Sequence, residues 1–327
     1  MHWKISPRIV FALMLSAWAF AAPSQAQESW PARQVTFLVP FGAGGTTDIL
    51  ARLVAEQMQN TFGKPFVVEN RAGAGGSTGV TAGARAPNDG YTVVFVTIAT
   101  HAINPFIYAK LAYDPVKDFE PVGNINLVAN MLVANPDKVP AKTLPEFIAY
   151  LKANPDKLSF GSAGVGTSQH LAGEAFGAAV GSKLIHVPFR SSGEITNSLL
   201  GGHIDLAFDN TAVMLPQVLS GKVRALGFGD TKRHKAMPDV PAINEAVPGF
   251  VSTSWAGMVV PAGTPKPIID KLTAELKRIM ELPATIAKVE ELGATAAYMN
   301  PAAFATFMSN ERKKWGDLVK AIGMKPI

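Results

Sequence analysis

The sequence predicts an α/β protein of two domains that face each other across a central ligand cleft and are joined by a hinge of crossover strands. Three observations predict this fold. Short apolar strands alternate with amphipathic helices along most of the chain. Two glycine-rich turns, near residues 42–45 and 161–167, each join a buried strand to a helix. Two apolar segments, 119–134 and 255–260, lack a helical period and are long enough to pass between domains.

The first 26 residues have the pattern of a secretory signal peptide. Lys4 and Arg8 precede an apolar run over residues 9–22, and a small-x-small cleavage site ends at Ala26. The apolar run is shorter than the roughly 20 residues that a membrane span needs. We therefore expect cleavage after Ala26 and a periplasmic mature protein.

Composition narrows the classes of function. The full chain has 30 basic and 25 acidic residues, and two of the basic ones, Lys4 and Arg8, leave with the signal peptide. The mature protein therefore keeps a small excess of positive charge. These residues are scattered rather than clustered with aromatic side chains, so they do not indicate nucleic acid and are compatible with an anionic solute. The chain has no cysteine, which excludes disulfides, thiolate catalysis and cysteine-ligated metal.

The first strand-turn-helix unit covers residues 35–61. Its apolar strand ends at Pro40, because proline has no N–H for the hydrogen-bond ladder. Gly42, Gly44 and Gly45 allow a sharp turn into a helix with one apolar face. The free N–H groups of the first helical turn suit an anion. A plain tight turn stays open as the alternative, because the spacing matches neither a dinucleotide fingerprint nor a P-loop.

The elements that follow extend this unit and then begin a second one. Before the first crossover, the pattern predicts strands at 66–69 and 92–96 and a helix ending at residue 85. After it, we expect helices at 144–153, 168–180, 195–200 and 214–219 and strands at 158–161, 183–187, 204–209 and 224–228. Three helices that open at prolines, 265–280, 283–292 and 301–322, should return to the first sheet.

The second glycine turn, residues 161–171, has the glycine spacing of a P-loop but Thr167 where the lysine belongs. A polyphosphate would lack its cationic partner there. The hydroxyls of Ser162, Thr167 and Ser168 lie beside another helix start and suit a carboxylate oxygen instead.

Two further polar residues allow more than one interpretation. His170 has no second histidine three or four residues away, so we expect it to hydrogen-bond its own loop and to bind no metal. Asp209 and Asn210 end a buried strand, where both would face the cleft and bind a hydroxyl or amine of the solute. The alternative is that Asp209 caps the next helix. No nucleophile elbow and no compelling carboxylate pair supports the alternative function, a secreted α/β hydrolase or transferase.

Six motifs together resemble one family. They are PFGAGGTTD at 40–48, NRAGAGG at 70–76, PNDGY at 87–91, HAINP at 101–105, GVGTSQHL at 164–171 and DLAFDN at 205–210. Over essentially the whole mature chain, the sequence resembles the Bug-type solute receptors, the extracytoplasmic binding proteins of tripartite tricarboxylate transporters. It departs from their pattern at Ser191, where many relatives have glycine, so the solute choice stays open there.

The resemblance implies a periplasmic-binding-protein-like (type II-like) fold and a monomeric receptor that is not an enzyme and needs no cofactor. It implies a discontinuous first domain, residues 27–128 plus 253–327, and a second domain of residues 129–252. A small organic carboxylate, whether a dicarboxylate, an aromatic carboxylate or an amino acid, would pass to membrane transporter subunits. By matching position, the solute contacts would be Phe41, Gly44, Gly45, Thr46, Ser162, Gly166, Thr167 and Ser168, with Thr97, Thr100 and Asp209 at the far end.

Overall fold

One mixed sheet runs through both halves of the protein. The computed structural model describes residues 30–321 and Pro326, so the predicted signal peptide lies outside the described residues. The sheet has the strand order β2-β1-β3-β9-β4-β7-β5-β6, and β10 and β8 also pair with β4. Its strands are β1 Val35–Val39, β2 Phe66–Asn70, β3 Thr92–Thr97, β4 Phe119–Ala134, β5 Ser159–Ser162, β6 Ile185–Pro188, β7 Leu206–Asn210, β8 Arg224–Phe228, β9 Thr253–Pro261 and β10 Thr295–Met299.

Helices cover both faces of this sheet. They are α1 Thr46–Phe62, α2 Ser77–Ala84, α3 Asn104–Ile107, α4 Leu144–Ala153, α5 Ser168–Val180, α6 Ser192–Leu200, α7 Thr211–Leu219, α8 Lys266–Glu281, α9 Pro283–Glu291 and α10 Pro301–Ala321. No helix within the described residues is long and apolar enough to span a membrane.

The N-terminal half of the sheet is closed by the end of the chain. Strands β1, β2 and β3 are parallel, and β9 pairs antiparallel with β3 and β4. Leu276 of α8 shares one buried cluster with Phe37 of β1, and Phe304 of α10 shares another with Val94 of β3. Burial of large apolar side chains contributes roughly 1.5–3 kcal/mol each, so the three last helices are a substantial part of this core.

The second half of the sheet has its own core. Strands β5, β6 and β7 are parallel, and β4 pairs antiparallel with both β7 and β8. Phe160 of β5, Phe176 of α5 and Phe208 of β7 are fully buried together there. The parallel strands bring the ends of β5, β6 and β7 to one edge, which faces the ends of β1 and β3.

Strand β4 connects the two halves without a break. Residues Phe119 to Ala129 pair with β9, and Asn130 to Ala134 pair with β7. The predicted crossover at 119–134 is confirmed, as are the helices at 144–153 and 168–180 and the strand at 224–228. The second crossover, β9, is longer than the predicted 255–260.

Several elements differ from the sequence prediction. Helices α6 and α7 begin at Ser192 and Thr211, three residues earlier than predicted. In α6 the added residues are Ser, Gly and Glu, so its apolar pattern starts only at Ile195. Residues Ala99–Ile103 form a single π-helical turn before α3, in a stretch for which the pattern predicted no element. Strand β10 was not predicted, since its residues gain strand geometry only by pairing with β4.

Candidate functional site

A narrow cavity of ≈ 30 Å³ lies where the strand ends of the two halves face each other. None of the side chains that line it is charged. They belong mainly to the first turns of α1, α5, α6 and α7, and the lining consists of Phe41, Gly45, Thr46, Thr47, Thr97, Ile98, Ala99, Ala163, Thr167, Ser168, Gln169, Ser191, Ser192, Asn210 and Ser254. Each helix start brings N–H groups without intrahelical partners and a partial positive charge of roughly +0.5. This cavity can therefore stabilise negative charge without a cationic side chain.

The first wall of the cavity is the start of α1. Gly44 has φ +81°, a conformation that favours glycine, and Gly45 is the N-cap with extended backbone. Thr46 and Thr47 follow in the first turn and line the cavity. Their N–H groups are the free donors of this helix start.

Asp48 holds this turn from behind. It is buried, and its carboxylate accepts hydrogen bonds from the Gly44 N–H at 3.0 Å and Asn70 Nδ2 at 3.0 Å. Arg52 forms an ion pair with it at 2.9 Å. Burial would raise the pKa of Asp48, but the hydrogen bonds from Arg52, Gly44 and Asn70 and the charge of Arg52 outweigh it and lower this pKa. The carboxylate therefore fixes the turn. It accepts from the N–H of Gly44, the residue before the N-cap, and not from the N–H of the N-cap Gly45.

Asp48→Asn is expected to destabilise the protein by about 1–3 kcal/mol at neutral pH, because an amide N–H₂ would face one of these donors. The loss should be smaller in acid. A carboxyl group whose pKa is lowered on folding contributes stability above its unfolded pKa, and this contribution disappears as pH falls through its folded pKa. Urea unfolding of both proteins at pH 7 and pH 3 measures the difference. An equal loss at both pH values would contradict a charged role for Asp48.

The second wall is the turn before α5. Gly164 and Gly166 have φ +119° and +86°. Thr167 is the N-cap of α5: its hydroxyl accepts from the His170 N–H and donates to the Gly164 carbonyl at 2.7 Å. The Thr167 hydroxyl thus stabilises its own turn, and the N–H groups of Ser168 and Gln169 are left for a solute.

Two stacked histidines support this turn, with ring centroids 4.1 Å apart. His170 Nδ1 accepts from the Gly166 N–H at 3.3 Å, and His186 Nε2 lies 2.5 Å from the Ser162 hydroxyl. Burial lowers the pKa of His170 to about 4 and, with a smaller effect from His170, that of His186 to about 3. Both rings are neutral near pH 7. His170 hydrogen-bonds its own loop, as predicted, and no group of three or more histidines or carboxylates in the described part of the chain is arranged to hold a metal.

Two more helix starts complete the second wall, and of these only Asn210 was among the residues that the sequence placed at the cleft. Ser191 is the N-cap of α6 and accepts from the Glu194 N–H, while Glu194 accepts from the Arg190 N–H. The S-x-x-E spacing of Ser191 and Glu194 is a capping-box signal that could have placed this helix start. Asn210 is the N-cap of α7.

The two walls touch across the cavity, so the structure has the closed arrangement. Asn210 Nδ2 donates to Thr46 Oγ1 at 3.1 Å, and the Gly42 N–H donates to the Arg190 carbonyl at 3.0 Å. At the rim, the Tyr108 hydroxyl donates to the Val165 carbonyl at 3.1 Å.

The residues predicted to bind solute fall into two groups. Six of them line the cavity: Phe41, Gly45, Thr46, Thr97, Thr167 and Ser168. The other five lie behind the lining: Gly44, Thr100, Ser162, Gly166 and Asp209. The Thr100 hydroxyl bonds the backbone of Thr97, and Asp209 bonds three residues that line the cavity.

Comparison with known proteins gives one consistent family. The family model for the "Tripartite tricarboxylate transporter family receptor" matches residues 50–324. The structure of the periplasmic binding protein BugD has 36% identity and a TM-score of 0.88, over 91% of this chain and 100% of its own. A Rhodopseudomonas palustris protein with adipate has 33% identity and a TM-score of 0.88, over 91% and 100%. MatC from the same organism, with bound malate, has 34% identity and a TM-score of 0.83, over 89% and 100%.

These proteins share the two-domain fold, and they are solute-binding receptors, so nothing in the comparison supports the hydrolase or transferase alternative. The chain belongs to the receptor family of tripartite tricarboxylate transporters and is an extracytoplasmic solute-binding protein, not an enzyme.

Proposed function

We propose that this receptor captures a small organic carboxylate between its two domains and delivers it to the membrane subunits of a tripartite tricarboxylate transporter. One observation carries the proposal: an uncharged polar cavity formed by helix starts from both halves of the protein. The adipate and malate bound to two relatives support a carboxylate as the solute.

The carboxylate would lie between the first turns of α1 and α5. Thr46 and Thr47 would donate from one side, and Ser168 and Gln169 from the other. Hydrogen bonds to an ionised group contribute roughly 1.5–3 kcal/mol each, so a few of them account for micromolar affinity after the cost of association. Gly45 leaves room for the solute, and Phe41 and Thr97 would contact its chain.

The other predicted residues would act indirectly in this proposal. Gly44, Ser162 and Gly166 would shape the two turns, Thr100 would position Thr97, and Asp209 would orient its cavity neighbours. Their observed hydrogen bonds and backbone angles support these roles.

The domain limits in our proposal are 27–128 plus 253–327 and 129–252. The change of partner in β4 after Ala129, and the start of β9 at Thr253, support a hinge at these positions. Rotation about two antiparallel strands would open the cavity with little disruption of either core.

Solution scattering with calorimetry tests capture and closure together. We expect succinate, malate or adipate to bind, and the radius of gyration to fall when the bound solute saturates the protein. Formamide, which is small and neutral, serves as the control and should change neither quantity. Binding of a carboxylate with an unchanged radius would contradict closure, and failure of every carboxylate to bind would contradict the proposed function.

Export would remove the first 26 residues, so the mature chain should begin at Gln27 and work in the periplasm as a monomer. N-terminal sequencing of the exported protein and its mass in solution measure both points. An intact Met1 on a membrane-bound product, or a stable dimer, would contradict this part of the proposal.

A further inference from the structure

We infer that the solute carries a hydrogen-bond donor, a hydroxyl or amino group, in addition to its carboxylate, and that Gln169 and Ser192 accept from this donor. The inference rests on the proposed function, because it names the class of carboxylate that the same cavity takes. It begins with a buried side chain that the carboxylate site does not use, that of Asp209.

Asp209 is fully buried at the end of β7. Its Oδ1 accepts three hydrogen bonds: from Gln169 Nε2 at 3.1 Å, from the Ser192 hydroxyl at 2.7 Å and from the Asn210 N–H at 2.7 Å. Burial raises the pKa of Asp209 to about 6, although these three hydrogen bonds lower it in part. At pH 7 the group is therefore mainly a carboxylate, which can only accept hydrogen bonds.

The hydrogen bonds to Asp209 determine which polar atoms of Gln169 and Ser192 remain available to a solute. Gln169 must direct its N–H₂ group towards Asp209, so its remaining polar atom is the carbonyl oxygen Oε1. Ser192 gives its only hydroxyl hydrogen to Asp209, so its oxygen can offer only lone pairs. Both residues line the cavity. Asp209 therefore makes this wall of the cavity a surface of hydrogen-bond acceptors.

A solute without a donor fits such a wall poorly. A second carboxylate would bring more acceptor atoms and a like charge towards the buried carboxylate of Asp209. A hydroxyl or amino group would instead satisfy Gln169 Oε1 or Ser192 Oγ. Two other lining residues also have buried atoms without a partner among the described residues, Thr97 Oγ1 and Asn210 Oδ1. A buried polar atom without a hydrogen-bond partner costs free energy. A donor on the solute pairs with such an atom, whereas a solute with an unsubstituted carbon chain leaves it unpaired.

Matched pairs of carboxylates test the inference by calorimetry at pH 7.5. The pairs are propionate with lactate, succinate with malate, and adipate with 2-hydroxyadipate, each differing by one hydroxyl. We expect the hydroxylated member of the pair that binds most tightly to bind at least about tenfold better than its plain partner. Gln169→Met keeps the length of the side chain and removes the acceptor, so it should reduce this ratio to about twofold or less. The ratio within a pair is the readout, because Gln169 also belongs to the carboxylate side through its N–H.

Thr46→Ala is the matched control, because it keeps the N–H on the carboxylate side and removes the hydroxyl that accepts from Asn210 Nδ2 across the closed walls. It should weaken both members of a pair by a similar factor and leave their ratio unchanged. Equal affinity for the plain and hydroxylated members would overturn the inference and leave the proposed function intact. A tenfold ratio that persists in both Gln169→Met and Ser192→Ala would overturn the assignment of the acceptors. Failure of all six compounds to bind would instead count against the proposed function.

Discussion

Gly75→Ala is expected to weaken solute binding by about a hundredfold or more while the protein stays folded. Gly75 lies at the rim of the first domain with φ +57°, and a Cβ built on it would lie 2.3 Å from the Val165 carbonyl oxygen across the cleft. Real Cβ atoms do not approach a carbonyl so closely, and backbone cannot move aside as a flexible side chain can. The closed arrangement, in which Gly75 lies against Val165, therefore becomes weakly populated. The apparent affinity for the solute falls in proportion to that population. Calorimetry with the carboxylate that binds best measures the loss.

Gly63→Ala is the matched control for this substitution. Gly63 also has a left-handed φ, +66°, but a Cβ there meets no atom within 4 Å. Both variants should lose about 1–2 kcal/mol of stability from backbone strain, and only Gly75→Ala should lose binding and the contraction seen by scattering. Equal affinity of the two variants would show that binding does not need the closed contact at Val165.

The free energy of unfolding is expected to fall by about 4 kcal/mol between pH 7 and pH 5. Burial lowers the pKa of His101 and His186 to about 3 and that of His170 to about 4, with smaller effects from Arg312 on His101 and from His170 on His186. Unfolded histidines take up protons near pH 6.5, whereas these three stay neutral in the fold. Between those values the unfolded state binds more protons, so acid favours unfolding. The raised pKa of Asp209 has the opposite sign and offsets part of the loss.

Urea unfolding at half-unit steps of pH measures this slope. His186→Gln should remove about a third of the histidine contribution, since it removes one of the three titrating rings. A flat profile from pH 7 to pH 5 would mean that the three rings accept protons in the folded protein, and it would contradict the neutral role of His170 and His186 behind the second turn.

The fold was predictable wherever one segment carried its own signal. Residues 119–134 form a long apolar run without helical period, and the bounds of β4 match it. The start of α5 was equally clear, because Thr167 is an N-cap by residue type and by position after the glycines. In contrast, β10 has no apolar alternation of its own, and only its pairing with residues 124–127 of β4 makes it a strand.

The site was predictable at its two glycine turns and, through the family resemblance, at Thr97. Thr46 and Ser168 follow such turns, and both line the cavity. Ser192 and Asn210 come from separate strand ends that only the parallel order of β5, β6 and β7 brings together. Gln169 lies next to a predicted residue, but its role depends on Asp209, 40 residues later in the sequence. Such a pairing is a property of the tertiary structure and has no local signal.

The position of β9 has a consequence for biosynthesis. This strand lies between β3 and β4, in the middle of the N-terminal sheet, yet it begins only at Thr253. A nascent chain that has reached residue 252 therefore holds β1, β2 and β3 with no central partner, and lacks α8, α9 and α10 as well. The first half of the protein has to wait for the last part to be translated before its core can close.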